Sequence, residues 1–143
     1  MAIWMAILGA FAAEPPVDPE VHQAEYVRVS DEIRKAVDAS MNRPLAERID
    51  VISEAMLGHP YTADPLGEGG GTDTEPLVRY DTFDCLTYVE EVLALSMSGD
   101  PAGAGPIRTG LRYDEHTSYE DRHHFMELQW IPRALNDGWL IDT

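Results

Sequence analysis

Apolar residues recur at about every third or fourth position in two segments of the first half of the chain. This spacing is typical of one face of a helix. The first segment, residues 17–40, carries Val21, Tyr26, Val29, Ile33 and Val37. The second, residues 43–58, carries Leu45, Ile49, Ile52 and Met56. A proline is tolerated in a first helical turn, as at Pro44, and a glycine often follows a last turn, as at Gly58.

The next stretch, residues 59–76, is rich in glycine, proline and acidic residues and predicts an irregular loop. Its three consecutive glycines lack the lysine and the following helix that a phosphate-binding loop requires, so we reject that interpretation. A third helix is predicted to begin near Asp84 or Cys85. Its apolar face contains Cys85, Tyr88, Val89, Val92 and Leu93, and its other face contains Glu90 and Glu91.

Shorter patterns follow in the last third of the chain. Residues 107–113, IRTGLRY, are a candidate strand, and residues 118–138 are predicted to be helical, with an interruption at Pro132 and an end at Gly138. Residues 139–143, WLIDT, have the pattern of a new apolar strand. A strand here would have no following segment to pair with. We therefore expect the sequence to be truncated.

Composition narrows the classes of partner. The 143 residues carry a net charge of −16, which argues against nucleic acid, because a polyanion would be repelled. The length fits one domain. A single cysteine excludes an intramolecular disulfide framework and a cysteine-rich zinc site.

The amino terminus, MAIWMAILGAFAAEPP, is an apolar run that ends in small residues. Ala10, Phe11 and Ala12 fit the small-x-small pattern of a signal-peptidase site, although no basic residue precedes the run. Residues 1–13 are therefore a candidate signal peptide, which predicts export to the periplasm or cell envelope. The alternative is that the run is the first buried segment. It is too short to span a membrane, so we expect no stable membrane insertion.

The only cysteine allows two interpretations. A helix amino terminus favours the thiolate form of a cysteine, and its free backbone amides can stabilise an oxyanion. The sequence FDCLTYVE would place Cys85 in such a first turn, although the charge of Asp84 opposes thiolate formation unless it caps the helix. The alternative is a buried, inert cysteine.

Four segments resemble one bacterial family. These are Gly58 to Tyr61 (GHPY), Asp84 to Glu90 (DCLTYVE), Arg122 to Phe125 (RHHF) and Trp130, in this order over roughly residues 44–143. The pattern resembles the N-acetylmuramoyl-L-alanine amidase-like family of the NlpC/p60 branch of papain-like cysteine peptidases. The resemblance implies an α+β papain-like fold, of which the segment present is mostly helical and lacks most of the sheet. Residues 17–143 would be the N-terminal part of that domain.

The resemblance also implies hydrolysis of the amide between N-acetylmuramic acid and L-alanine in peptidoglycan fragments, without a cofactor or metal. Cys85 would be the nucleophile, and Asp84, in the same motif, would be a substrate-binding residue. Tyr61 would lie beside the thiol, and the remaining groove residues would be Arg122, His124 and Trp130. An arginine suits a muropeptide carboxylate, but Arg122 could equally form a surface ion pair, and Trp130 could equally be a core residue.

The general base is the unresolved part of this hypothesis. In the family it is a histidine on a strand after the cysteine helix, and none of the five histidines here has that context. His124 is an alternative base. Adjacent His123 and His124 lack the i, i+4 spacing of helical zinc sites. The sequence therefore also allows a catalytically inactive muropeptide-binding module or a non-functional fragment. It leaves the oligomeric state open.

Overall fold

The structure is a computed structural model and describes residues 29–142. Five α-helices form its main elements: α1 (Asp31–Ser40), α2 (Leu45–Met56), α3 (Cys85–Ser98), α4 (Ala104–Arg112) and α5 (Ile131–Asn136). A 3-10 turn, Pro101–Gly103, precedes α4, and a π-helical turn, Met126–Trp130, precedes α5. The predicted signal peptide, residues 1–13, lies outside the described residues.

Helix α2 begins and ends close to where the pattern predicts, whereas α1 matches the prediction only at its end. The side chain of Ser30 accepts a hydrogen bond from Ile33 N and caps α1, so the helix begins at Asp31 and does not run unbroken from residue 17. Helix α2 follows Pro44, and Gly58 just beyond it has a φ of +83°. Helix α1 packs on α2, and α2 packs on α3.

Helix α3 lies at the centre of the fold. On one side it packs through Val92 and Leu95 into a core cluster shared with α1 and α2. On another side Leu86, Val89 and Leu93 pack against a second cluster built on Leu111, Trp130 and Ala134. The helix is therefore apolar on two sides and does not have the single apolar face that its sequence suggests.

A network of buried ion pairs occupies the side of α3 that faces α4. Glu91 pairs with the Nε and Nη2 atoms of Arg108, and Glu90 pairs with Nε of Arg112 at 2.7 Å. All four side chains are at most 3% exposed. Glu90 and Glu91 are thus core residues, because α4 supplies two arginines that compensate the cost of removing their charges from water.

The predicted α+β class and papain-like topology are wrong for this structure. Within residues 29–142 every regular element is helical, and β-type pairing is limited to isolated bridges: Tyr61 with Phe83, Gly70 with Asp73, and Tyr113 with Arg122. Residues 107–112 of the strand candidate are instead the second part of α4, and Tyr113, which follows the helix, is extended. The helix residues Arg108, Leu111 and Arg112 recur at helical spacing, and all three are buried.

The last part of the described chain also differs from the pattern. Residues 118–125 are not helical, and Pro132 lies in the first turn of α5, where proline is tolerated. Gly138 has a φ of +78° and follows the helix as predicted. Trp139 and Leu140 form no strand; their backbone N–H groups donate to Ala134 O at 2.8 and 3.1 Å, which extends the end of α5 into a turn.

Candidate functional site

Cys85 is the first residue of α3, and its free thiol is exposed. Helix α3 begins here because Asp84 and Thr87 form a capping box. Oδ1 of Asp84 accepts from Thr87 N at 2.8 Å, and Oγ1 of Thr87 accepts from Asp84 N at 3.0 Å. The buried, inert cysteine that the sequence left open is therefore not what the structure shows.

The segment before α3 is held by the loop that follows α2. Phe83 N donates to Pro60 O and Thr62 N donates to Phe83 O, both at 3.1 Å. The hydroxyl of Thr82 donates to Pro60 O at 2.8 Å. These bonds attach the GHPY segment to the chain immediately before Cys85, so the position of the thiol depends on both segments.

A cavity of about 420 Å³ opens beside Cys85. One wall is the first part of α3, and a second wall is formed by residues 122–128. This volume lies within the usual range of small-molecule sites. Of the residues that the sequence predicts for the site, the cavity brings together Cys85, Asp84, Arg122 and His124.

His124 is exposed, and its ring lies 4.5 Å from that of Tyr119, measured between centroids. Its Nε2 lies 2.8 Å from Tyr119 O. A carbonyl oxygen only accepts, so Nε2 carries the proton, and in the neutral ring Nδ1 is an acceptor. The neighbouring His123 also lines the cavity, but it is buried, with Nδ1 3.3 Å from Leu111 O and Nε2 3.5 Å from Asp114.

Arg122 lines the cavity, yet its guanidinium is engaged within the protein. Nη1 donates to Leu66 O at 2.6 Å, Nη2 donates to Asp73, and Nε lies 3.6 Å from Glu68. Burial opposes its charge, but Asp73 and Glu68 raise the pKa of Arg122 above its ordinary value. A substrate carboxylate would have to compete with these contacts, so the geometry favours a role in holding the loop.

Tyr61 and Trp130 lie outside the lining of the cavity. Tyr61 is 72% exposed and is bridged through its backbone to Phe83, two residues before Cys85. Trp130 is 3% exposed and belongs to the second core cluster, which agrees with the core role that the sequence allowed.

The cavity wall also contains residues that the sequence did not suggest. Glu90 and Arg112 contribute from α3 and α4, and Phe125, Met126 and Leu128 contribute apolar surface, with Phe125 and Leu128 strongly exposed. Burial raises the pKa of Glu90, and the nearby Arg112 only partly offsets this effect. The sequence did contain a signal for this pairing. Arg108 and Arg112 are four residues apart, as partners on one helix face would be, and could have been matched to the adjacent Glu90 and Glu91.

Two kinds of feature are absent from the described part of the chain. No cluster of three or more histidine, cysteine or carboxylate side chains between residues 29 and 142 could hold a metal ion. No helix in this range is long and apolar enough to cross a membrane.

Two comparisons with other proteins give a match. The family model AmiA-like, described as N-acetylmuramoyl-L-alanine amidase-like, matches residues 51–142. The crystal structure of protein LPG0564 from Legionella pneumophila, which carries the family model DUF1460, superposes with a TM-score of 0.66 at 30% sequence identity. The alignment covers 82% of this chain and 39% of that chain, so the sequence corresponds to less than half of the Legionella protein.

No curated protein matches the sequence. The family match nevertheless spans the capping box, Cys85 and the whole second wall of the cavity. The chain belongs to the AmiA-like family of N-acetylmuramoyl-L-alanine amidase-like proteins.

Proposed function

We propose that the protein is a cysteine-dependent amidase that hydrolyses the N-acetylmuramoyl–L-alanine amide of peptidoglycan fragments. The observation that carries this proposal is the placement of Cys85. The only thiol of the chain is exposed, stands at the amino terminus of a helix and lines a cavity of about 420 Å³. The family match supports the substrate class.

The first turn of α3 offers the groups that thiol chemistry requires. The first intrahelical hydrogen bond runs from Tyr88 N to Asp84 O, and Thr87 N is taken by the Asp84 side chain. The backbone N–H groups of Cys85 and Leu86 are therefore left for an oxyanion, and both residues line the cavity.

Among the histidines that line the cavity, His124 is the better candidate for the base. Its Nε2–H is fixed on Tyr119 O, which leaves Nδ1 to accept a proton, whereas both ring nitrogens of His123 face acceptor oxygens. In this role His124 takes the thiol proton as Cys85 Sγ attacks the lactyl carbonyl. It then passes that proton to the departing alanine nitrogen.

The reaction closes with hydrolysis of the thioester. Attack by Sγ forms the C–S bond and breaks the C–N bond, so the peptide leaves with a free amino terminus. Water then attacks the thioester, giving the lactyl carboxylate of the sugar and restoring the thiol. One water is consumed in each cycle, and no redox step is involved.

The test is cleavage of N-acetylmuramoyl-L-alanyl-D-isoglutamine, followed by mass spectrometry of the released dipeptide. Cys85→Ala is expected to abolish release, and His124→Gln is expected to lower it about 10²–10⁴-fold, as loss of a general base does. Asp121→Asn, which changes an ion pair with His116 at the surface, is the control and should retain activity. Release by Cys85→Ala at the rate of the unmodified protein would contradict the proposal.

The same assay separates the catalytic proposal from the binding alternative. Saturable binding of this muropeptide without any release would support a catalytically inactive muropeptide-binding module. Export to the cell envelope remains a prediction from the sequence. Export would bring the protein to the compartment that contains its proposed substrate.

A further inference from the structure

The wall of the Cys85 cavity contains a buried carboxylate with one unpaired oxygen. Glu90 is 1% exposed, lines the cavity, and has no hydrogen-bond partner at Oε1 among the described residues. Leaving such a group unpaired costs free energy, and the cost is larger when the group is charged. Each such group in a folded protein calls for an explanation, and a ligand that supplies the missing partner is one.

The other half of Glu90 is held in place. Oε2 accepts from Arg112 Nε at 2.7 Å, and Arg112 is itself bound to Leu77 O at 2.9 Å and to Glu91 at 3.4 Å. Each guanidinium nitrogen of Arg112 therefore has a partner other than Glu90 Oε1. The carboxylate is oriented by its neighbours with one oxygen left over.

The charge of Arg112 restricts what this oxygen can bind. Glu90 and Arg112 form a neutral buried pair, and both line the cavity. An ammonium group added here would leave a net positive charge out of water, which is costly. An uncharged N–H or O–H donor would complete the hydrogen bonding without adding charge.

We infer that Glu90 Oε1 is a specificity contact of the cavity and accepts a hydrogen bond from an uncharged donor of the substrate, an amide N–H or a sugar hydroxyl. The inference rests on the proposed function, because it concerns the ligand of the same cavity. Glu90 acts in recognition and takes no part in the bond-making steps assigned to Cys85 and His124.

The experiment uses the full chain with Cys85→Ala, which prevents turnover, and measures binding of N-acetylmuramoyl-L-alanyl-D-isoglutamine by calorimetry. Glu90→Gln keeps the shape of the side chain. Its amide oxygen can serve Arg112, which leaves an NH₂ donor at the position of Oε1. Glu91→Gln is the matched control, because Glu91 belongs to the same buried network but does not line the cavity.

We expect Glu90→Gln to weaken binding about tenfold to a hundredfold, the range for a hydrogen bond to a charged group. Glu91→Gln should lower the melting temperature yet leave the affinity within about twofold. A second probe changes the ligand and compares the same two proteins. If the donor is the alanine N–H, methylation of that nitrogen should weaken binding to Cys85→Ala and have little effect on Cys85→Ala with Glu90→Gln. If methylation has the same effect on both proteins, the donor is a hydroxyl, and a deoxy-sugar analogue should show the dependence on Glu90 instead.

Equal affinity of Glu90→Gln and its parent, at a temperature where both are folded, would overturn the inference, as would no binding to the parent. Cleavage by the protein with Cys85 intact judges the proposed function separately. If Glu90→Gln cleaves the substrate with an unchanged KM, the proposed amidase function stands and the proposed Glu90 contact is wrong. If binding depends on Glu90 but the protein with Cys85 intact cleaves nothing, the Glu90 contact stands and the proposed amidase function is wrong.

Discussion

At the scale of single residues, Asp84 links the architecture to the candidate site. Its side chain caps α3 through Thr87, and the residue lines the cavity next to Cys85. A carboxylate beside a thiol opposes thiolate formation, but a carboxylate at a helix amino terminus also stabilises the helix. The cap therefore explains why an acidic residue is found directly before the proposed nucleophile.

We expect Asp84→Ala to lower the free energy of unfolding by about 1 kcal/mol, the usual cost of losing an N-cap. Asp84→Asn retains a capping oxygen and should cost only a few tenths of that amount. Urea denaturation followed by circular dichroism measures both variants. Equal losses in the two variants would show that the charge, and not the cap, is what stabilises the start of α3.

A second residue-scale feature is the close approach of Gly67 to Asp73. A Cβ atom at Gly67 would lie 2.1 Å from Oδ1 of Asp73, so a side chain cannot be accommodated without moving that carboxylate. Asp73 is the group that holds Arg122 in the cavity wall. The glycine is thus required by a close contact within one loop, which its place in a glycine-rich stretch does not indicate.

At the scale of elements, the contact between α3 and α4 depends on buried charges. Arg108 donates from Nη2 to Glu91 at 2.8 Å and to the hydroxyl of Tyr80 at 2.8 Å. Removing one partner of a buried pair leaves an uncompensated charge in the core. The two helices therefore pack in one arrangement, in which each glutamate meets its arginine.

For this reason we expect Arg108→Ala to destabilise the protein by about 3–5 kcal/mol. The control is Arg79→Ala, which breaks the pair with Asp81 at the surface and should cost under about 1 kcal/mol. The side chains of Arg79 and Asp81 are 32% and 68% exposed, respectively. Thermal and chemical unfolding compare the variants, and equal losses would show that burial does not set the strength of these pairs.

At the scale of the whole molecule, the cavity depends on contacts between distant parts of the chain. Arg122 reaches Leu66 and Asp73, which are 56 and 49 residues away in sequence. Burial alone would raise the pKa of Asp73. Hydrogen bonds from Glu75 and Arg122 outweigh it and hold the pKa below the ordinary 3.8. A lowered carboxylate pKa stabilises the fold above the pKa of the unfolded chain, and this contribution is lost as the pH falls through the folded value.

Asp73→Asn is therefore expected to reduce stability by about 1–3 kcal/mol at pH 7. The difference from the unmodified protein should stay constant down to about pH 5 and shrink as the pH falls through 3.8. Urea unfolding at several pH values between 7 and 3 measures it. Asp81→Asn is the surface control, with a small effect at every pH. A difference that grows towards low pH would contradict the assigned role of Asp73.

The parts of the fold that the sequence predicted correctly depend on near neighbours in the chain. The start of α3 at Cys85 follows from the Asp84–Thr87 spacing, and the ends of α2 follow from Pro44 and Gly58. The failures concern segments whose state is set by distant partners. Residues 107–113 were predicted to be a strand, but residues 107–112 are helical, because Arg108 and Arg112 meet the glutamates of α3.

The candidate site divides in the same way. The sequence by itself determined that Cys85 begins a helix, because capping and helical periodicity act over a few residues. Only the tertiary structure decided that residues 122–128 form the second wall of the cavity and that the guanidinium of Arg122 is engaged by the loop. It also decided that Trp130 is in the core and that Glu90 is buried with one oxygen unpaired. Burial and ion pairing between distant segments depend on how the helices pack, and no local pattern encodes that arrangement.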